Sequence, residues 1–141
     1  MTQMHMFKKY KISLAGILML AGCATQPLPT TSAQMVPAKQ ILNPGLVQQS
    51  EGKAEVIVKR DSGFRGSACA IRIFSDAQPI ADLWQSEKIA FYLPEGDHII
   101  SASTCNGGLV EIQASVKVGK TATYRVGFGL AFELGIYPTA F

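Results

Sequence analysis

From Glu51 onward, apolar residues recur at every second position in short runs separated by Gly, Pro, Asn and Asp. The first run, Glu55-Val56-Ile57-Val58-Lys59, closes on Asp61-Ser62-Gly63, and the second, Cys69-Ala70-Ile71-Arg72-Ile73-Phe74, closes on Asp76-Ala77-Gln78-Pro79. Ile80 to Leu83 is a short third run, and Lys88 to Leu93 a fourth, ended by Pro94-Glu95-Gly96-Asp97. His98 to Thr104 is a fifth, broken by Asn106-Gly107-Gly108. In Leu109 to Val118, the residues Val110, Ile112, Ala114, Val116 and Val118 share one face. Ala122, Tyr124, Val126 and Phe128 alternate inward along Thr121 to Phe128, and Phe132, Leu134 and Ile136 complete a last strand. A period of two hides one face of each strand, so two sheets must stack to bury both sets. The pattern predicts an all-β sandwich of seven or eight short strands over residues 52–141.

Residues 24–51 have a different character. Pro27, Pro29, Pro37 and Pro44 interrupt a Thr-, Gln- and Ala-rich stretch with few charges. Such composition buries too little apolar area to offset its ordering entropy, so a flexible tether is expected. A coil of that length averages about 30 Å end to end and would hold the domain off a surface. Pro37-Ala38-Lys39-Gln40-Ile41-Leu42 can form one docking turn.

Ahead of it, Lys8, Lys9 and Lys11 precede an uncharged run from Ile12 to Gly22. Eleven helical residues reach only about 16 Å, roughly half a hydrocarbon core, so the run suits a secretory signal rather than a membrane span. It ends in Leu20-Ala21-Gly22-Cys23, which resembles the lipobox of bacterial lipoproteins. The resemblance implies a signal peptide over 1–22, cleavage, and a lipidated Cys23 opening a segment over 23–51. Acyl chains contribute about 0.8 kcal/mol per buried CH₂, so two or three anchor stably to membrane lipid. Residue 24 is Ala, not Asp, which resembles lipoproteins sent to the outer membrane, here expected to face the periplasm.

Cleavage changes the charge. The chain has 13 Lys and Arg against 10 Asp and Glu, and three of those cations lie in the signal, leaving 10 against 10. A neutral domain lacks the positive field that nucleic-acid binding requires. Lipidation also consumes one of three cysteines. The remaining two, Cys69 and Cys105, would meet an oxidising compartment where such thiols commonly pair. A disulfide is expected, with a buried free pair or a redox site as rivals; redox sites usually show Cys-x-x-Cys spacing, absent here.

A second resemblance rests on Val56-Ile57-Val58-Lys59-Arg60, Ile71-Arg72-Ile73-Phe74 with Gln78-Pro79-Ile80-Ala81, and Phe91-Tyr92-Leu93-Pro94-Glu95-Gly96-Asp97-His98, with Gly119-Lys120-Thr121-Ala122-Thr123-Tyr124 later. This layout is similar to small bacterial lipoproteins carrying an immunoglobulin-like, PEGA-type domain of unknown function, across residues 54–137. It implies an immunoglobulin-like sandwich and an envelope location. It implies no activity and no catalytic residue.

Reactive chemistry is sparse. His98 is the only histidine after the signal, and no Gly-x-Ser-x-Gly elbow precedes it, so a turn-capping role is expected. Asp82 with Glu87, and Glu95 with Asp97, are acidic pairs beside turns, read as solvated. Gly119-Lys120-Thr121 lacks the upstream glycine of a phosphate loop. No catalytic residue, metal site or cofactor is expected. Two loops stand out as contact candidates. Phe64 and Arg65, in Asp61 to Ser67, pair an aromatic with a guanidinium, as interface hot spots do; the alternative, taken as the expectation, folds Phe64 onto the core. Trp84 is either an exposed anchor or, as expected, a lid over one end. Phe141 is a possible exposed contact. The leading functional expectation is a non-catalytic envelope lipoprotein that contacts another envelope protein. The alternatives are a small-ligand or glycan module and an envelope hydrolase using His98.

Overall fold

The computed structural model describes residues 24–141, so the expected signal peptide and Cys23 lie outside the described residues. Nine strands follow in order: β1 (Gln34–Met35), β2 (Lys53–Arg60), β3 (Ile71–Ser75), β4 (Gln78–Leu83), β5 (Glu87–Pro94), β6 (Gly96–Ser103), β7 (Leu109–Val116), β8 (Thr121–Phe128) and β9 (Leu134–Pro138). A five-stranded sheet, β1-β5-β2-β8-β9, packs on a four-stranded one, β4-β3-β6-β7. This is the β-sandwich that the alternating pattern predicts, with eight strands where expected and one more.

Period two sets the core. Along β2, Ala54, Val56, Val58 and Arg60 face inward. Val56 lies opposite Phe91 on β5 and Ala122 on β8. Val56, Ile73, Phe91, Ile100 and Val126 are fully buried between the sheets. Burial of a side chain like Phe91 contributes about 1.5–3 kcal/mol, and truncation to Ala costs about 3–5 kcal/mol because a cavity remains. Asp76 and Ala77 both take positive φ in the tight turn between β3 and β4, the twist that two-residue hairpins require.

Residues 24–51 are not a flexible tether. They form a strap along one side of the sandwich. Gln26 pairs with Ser62, and β1 adds in parallel to β5 through Gln34 opposite Glu87 and Met35 opposite Lys88. After the 3-10 turn Ala38–Gln40, Ile41 bridges to Ala81, and the Leu42 amide donates to the Ile80 carbonyl at 2.8 Å. Tyr92 then donates its amide to the Leu46 carbonyl at 2.8 Å. Before the strap is added, β5 and β4 are edges of the two sheets. The strap therefore supplies partners to exposed ladder groups and closes the side between the sheets. Within the strap Ala33 and Val36 are buried, and Ile41, Leu46 and Val47 pack against the core. The compositional expectation fails because docking draws on edge hydrogen bonds as well as on the strap's own apolar area.

Cys69 and Cys105 stand at disulfide distance, with sulfurs 2.12 Å and Cα atoms 5.9 Å apart. They join the loop before β3 to the loop after β6.

Candidate functional site

β2, β4, β6 and β8 end, and β3, β5, β7 and β9 begin, at the same end of the sandwich. The loops 61–70, 84–86, 104–108 and 129–133 therefore gather there. The beginning of the strap joins them. The Thr25 amide donates to the Phe128 carbonyl at 3.0 Å, and Phe128 returns its amide to Thr25 Oγ1 at 2.8 Å. A Cβ on Gly63 would come within 3.3 Å of Thr25 Cα, so the 61–70 loop lies directly against residues 24 and 25.

This end is held from within by three consecutive charged residues. Lys59, Arg60 and Asp61 are all buried, which breaks the alternation of β2. Lys59 lies on the outer face, yet the strap and the last residues cover it. Its Nζ donates to the Leu28 carbonyl at 2.6 Å and to the Phe141 carbonyl. Burial pulls the Lys59 pKa down. Arg60 points between the sheets. Its guanidinium donates to the carbonyls of Cys69 and Leu83, both at 2.8 Å, and of Gly66 at 2.7 Å. Burial pushes its pKa down to about 10, so it remains charged at neutral pH. Asp61 accepts from Arg125 at 2.6 Å and from Thr25 Oγ1 at 3.4 Å. Burial raises the Asp61 pKa, against the opposing pull of Arg125. Asp61 and Thr25 Oγ1 fill the space where a side chain on Gly127 would go, so only glycine permits that approach.

Above this buried layer the 61–70, 84–86 and 129–133 loops carry apolar side chains at their tips. Arg65 is buried, and its guanidinium donates to the carbonyls of Gly129 at 2.8 Å and Leu130 at 2.6 Å. The Phe132 ring stacks on it, 3.4 Å from the guanidinium carbon to the centroid. Phe132 holds φ 65°, a conformation costing a bulky residue about 1–3 kcal/mol. Arg65 thus braces a turn that carries Leu130 and Phe132 outward, and both are exposed. Gly66, at φ +70°, lies against the Phe128 ring where no Cβ fits. Phe64, two residues before it, projects into solvent. Trp84 completes the rim from the neighbouring loop, where Gln85 Nε2 donates to the Gly63 carbonyl.

The sequence-predicted residues divide accordingly. Phe64 does not fold onto the core; it is exposed because Arg60 draws the Gly66 and Cys69 carbonyls inward and leaves the loop tip outside. Arg65 is buried rather than presented at the surface, and its Nη1 donates to the Gly129 and Leu130 carbonyls. Trp84 lies on the same rim as Phe64, partly exposed rather than sealed down as a lid. Phe132 is not part of the last strand, which starts at Leu134; it sits in the preceding turn. Phe141 is exposed as expected, although its carbonyl accepts from Lys59 and Thr30. Arg60, Asp61, Leu130 and Thr25 were not singled out beforehand. For the first two, the run Lys59-Arg60-Asp61 at the end of an alternating strand is the visible signal.

His98 lies at the opposite end. Its Nδ1 is 2.6 Å from Asp76 Oδ2, its Nε2 is 2.8 Å from the Pro94 carbonyl, and Asp76 Oδ1 also accepts the Ile99 amide at 2.9 Å. Burial lowers the His98 pKa, but the Asp76 carboxylate and the Pro94 carbonyl outweigh it and the net shift is upward. The acidic pairs are likewise engaged. Asp82 takes a two-point contact from Arg72 at 2.7 and 2.9 Å, Glu87 caps the Trp84 amide at 2.7 Å, and Glu95 accepts the Val118 amide at 3.0 Å. Asp97 accepts from Ser115. No group of three His, Cys, Asp or Glu side chains among the described residues could hold a metal ion. A hollow of about 360 Å³ opens beside the disulfide, between Arg65, Phe128, Phe132 and Leu134, but its one cation is already committed to backbone carbonyls.

No family model and no curated protein matches the chain. A solved NMR structure of a protein from Eubacterium rectale is similar, with a TM-score of 0.46 and 12% identity over 64% of this chain and 92% of its own.

Proposed function

We propose that the protein is a non-catalytic lipoprotein of the bacterial cell envelope, anchored to the outer membrane through acylated Cys23 and facing the periplasm. The observation that carries this reading is Leu20-Ala21-Gly22-Cys23 placed directly after a cationic start and an uncharged run. Cys69 and Cys105 at disulfide distance suit the oxidising compartment that export would provide. Arg60 is engaged with backbone carbonyls, Asp61 with Arg125, and His98 with Asp76, in keeping with a structural or protein-contacting module. The test is mass spectrometry of the native protein extracted in detergent. Residue 23 at the amino terminus, heavier by a diacylglyceryl group, is the expected result. A chain that still begins at Met1, or carries a bare thiol at Cys23, ends the reading.

A further inference from the structure

We infer that the loop end of the sandwich is a lipid-contacting surface, seated on the bilayer interface with Phe64, Trp84, Leu130 and Phe132 as its apolar contacts. The inference rests on the lipoprotein reading of Cys23 and adds to it the orientation of the whole domain.

Three observations converge. Among the described residues, the three most exposed large apolar side chains are Phe64 at 87%, Leu130 at 74% and Phe132 at 71%, and all three are at this end. They are held outward by specific structure: Arg65 braces the 129–132 turn, and Arg60 anchors the base of the Phe64 loop. The strap begins here as well. Thr25 is locked to Phe128 by reciprocal hydrogen bonds and lies against Gly63. Consecutive Cα atoms are about 3.8 Å apart, so a lipid on residue 23 starts within two residues of a fixed point on this same end. No spacer lies between anchor and domain. Acyl chains in the bilayer therefore draw this end, and not the His98 end, against the membrane.

The chemistry of the rim fits an interface. Trp and Phe favour the headgroup level, and the four contact side chains carry no charge. Glu133 is a carboxylate on the 129–133 turn, so attraction to anionic lipid is not the driving term. The contact is apolar and should persist on zwitterionic lipid. With the loop end given to lipid, the outer faces of the two sheets are left for an envelope protein.

Trp84 is the only tryptophan and sits on the rim, so it reports the contact directly. The native acylated protein is reconstituted into phosphatidylcholine vesicles whose acyl chains carry bromine just below the headgroup. Strong quenching of Trp84 is expected, while a fluorophore placed at residue 97, at the His98 end, stays bright. The triple variant Phe64→Asp, Leu130→Asp, Phe132→Asp should lose most of the Trp84 quenching; these positions are exposed, and near-UV circular dichroism checks that it folds. A second variant with a Gly/Ser linker inserted between Cys23 and Ala24 separates affinity from forced proximity. Quenching that survives the linker but not the Asp substitutions supports the proposal. Acylated protein with unquenched Trp84, equal quenching at both ends, loss on adding the linker alone, or indifference to the Asp substitutions overturns it and leaves the lipoprotein reading standing. Mass spectrometry of the same preparation shows whether Cys23 is acylated; if it is not, both readings fall.

Discussion

Replacing Arg60 with Met should destabilise the domain by about 3 kcal/mol, although a side chain of similar length then fills a fully buried site. The guanidinium makes three charge-assisted hydrogen bonds at 2.7–2.8 Å, to Gly66, Cys69 and Leu83. Each such bond is worth about 1.5–3 kcal/mol, giving roughly 4–9 kcal/mol in gross terms. Removing the charge also removes the cost of keeping it out of water, several kcal/mol for a buried ion, which offsets much of the loss. What remains is three inward-pointing carbonyls with no guanidinium to satisfy them. A net loss of about 3 kcal/mol is a large share of the 5–15 kcal/mol that holds typical domains together. Urea unfolding followed by Trp84 emission, with the disulfide intact, should show the midpoint falling by roughly 1.5–2 M. Arg60→Lys should fall between Met and wild type, because one ammonium cannot reach three separated carbonyls. An unchanged or higher midpoint for Arg60→Met would refute the reasoning. Desolvation would then exceed the hydrogen bonding, and Arg60 could not be what holds the 61–70 loop.

Three further outcomes are expected. Replacing Cys69 and Cys105 together with Ala should cost up to about 4 kcal/mol, since they close a loop with a sequence separation of 36; urea midpoints with and without reductant check this, and wild type should lose a similar amount on reduction. The His98–Asp76 pair should make stability depend on pH at both flanks. The His98 pKa is raised, so its contribution is full below the unfolded value and fades as pH rises through the folded one; the Asp76 pKa is lowered, chiefly by its bond to His98, so that contribution fades as pH falls through the folded carboxylate value. In thermal melts across pH, His98→Asn should flatten the neutral flank, and an unchanged slope would show that the pair is not the source. A chain beginning at residue 52 should aggregate at concentrations where the full domain is monomeric, because β4 and β5 regain open edges and Val36 no longer covers the core; sedimentation velocity reads this, and a stable monomer would contradict the strap's role.

The local pattern already contained the strands. Within the strands, alternation marks which residues face inward, because side-chain direction in a strand depends only on position parity, and turn residues such as Asp76-Ala77 and Pro94-Glu95-Gly96 mark where it stops; Val118 and Phe132 follow the parity but fall beyond the strand ends and are exposed. Cysteine count and spacing made a Cys69–Cys105 bridge one expectation among others, and the fold brings the two sulfurs to disulfide distance. Parity, however, says nothing about what covers a face or an edge. Whether Lys59 meets solvent depends on the strap and on Phe141, which are 31 and 82 residues away. Whether residues 24–51 stay free depends on unpaired edges that exist only once β4 and β5 have taken their places. Phe64, Leu130 and Phe132 are distant in sequence, and nothing in the local pattern joins them. They become one surface because four strands end at the same level, and because two buried arginines donate to loop carbonyls and turn the apolar tips outward.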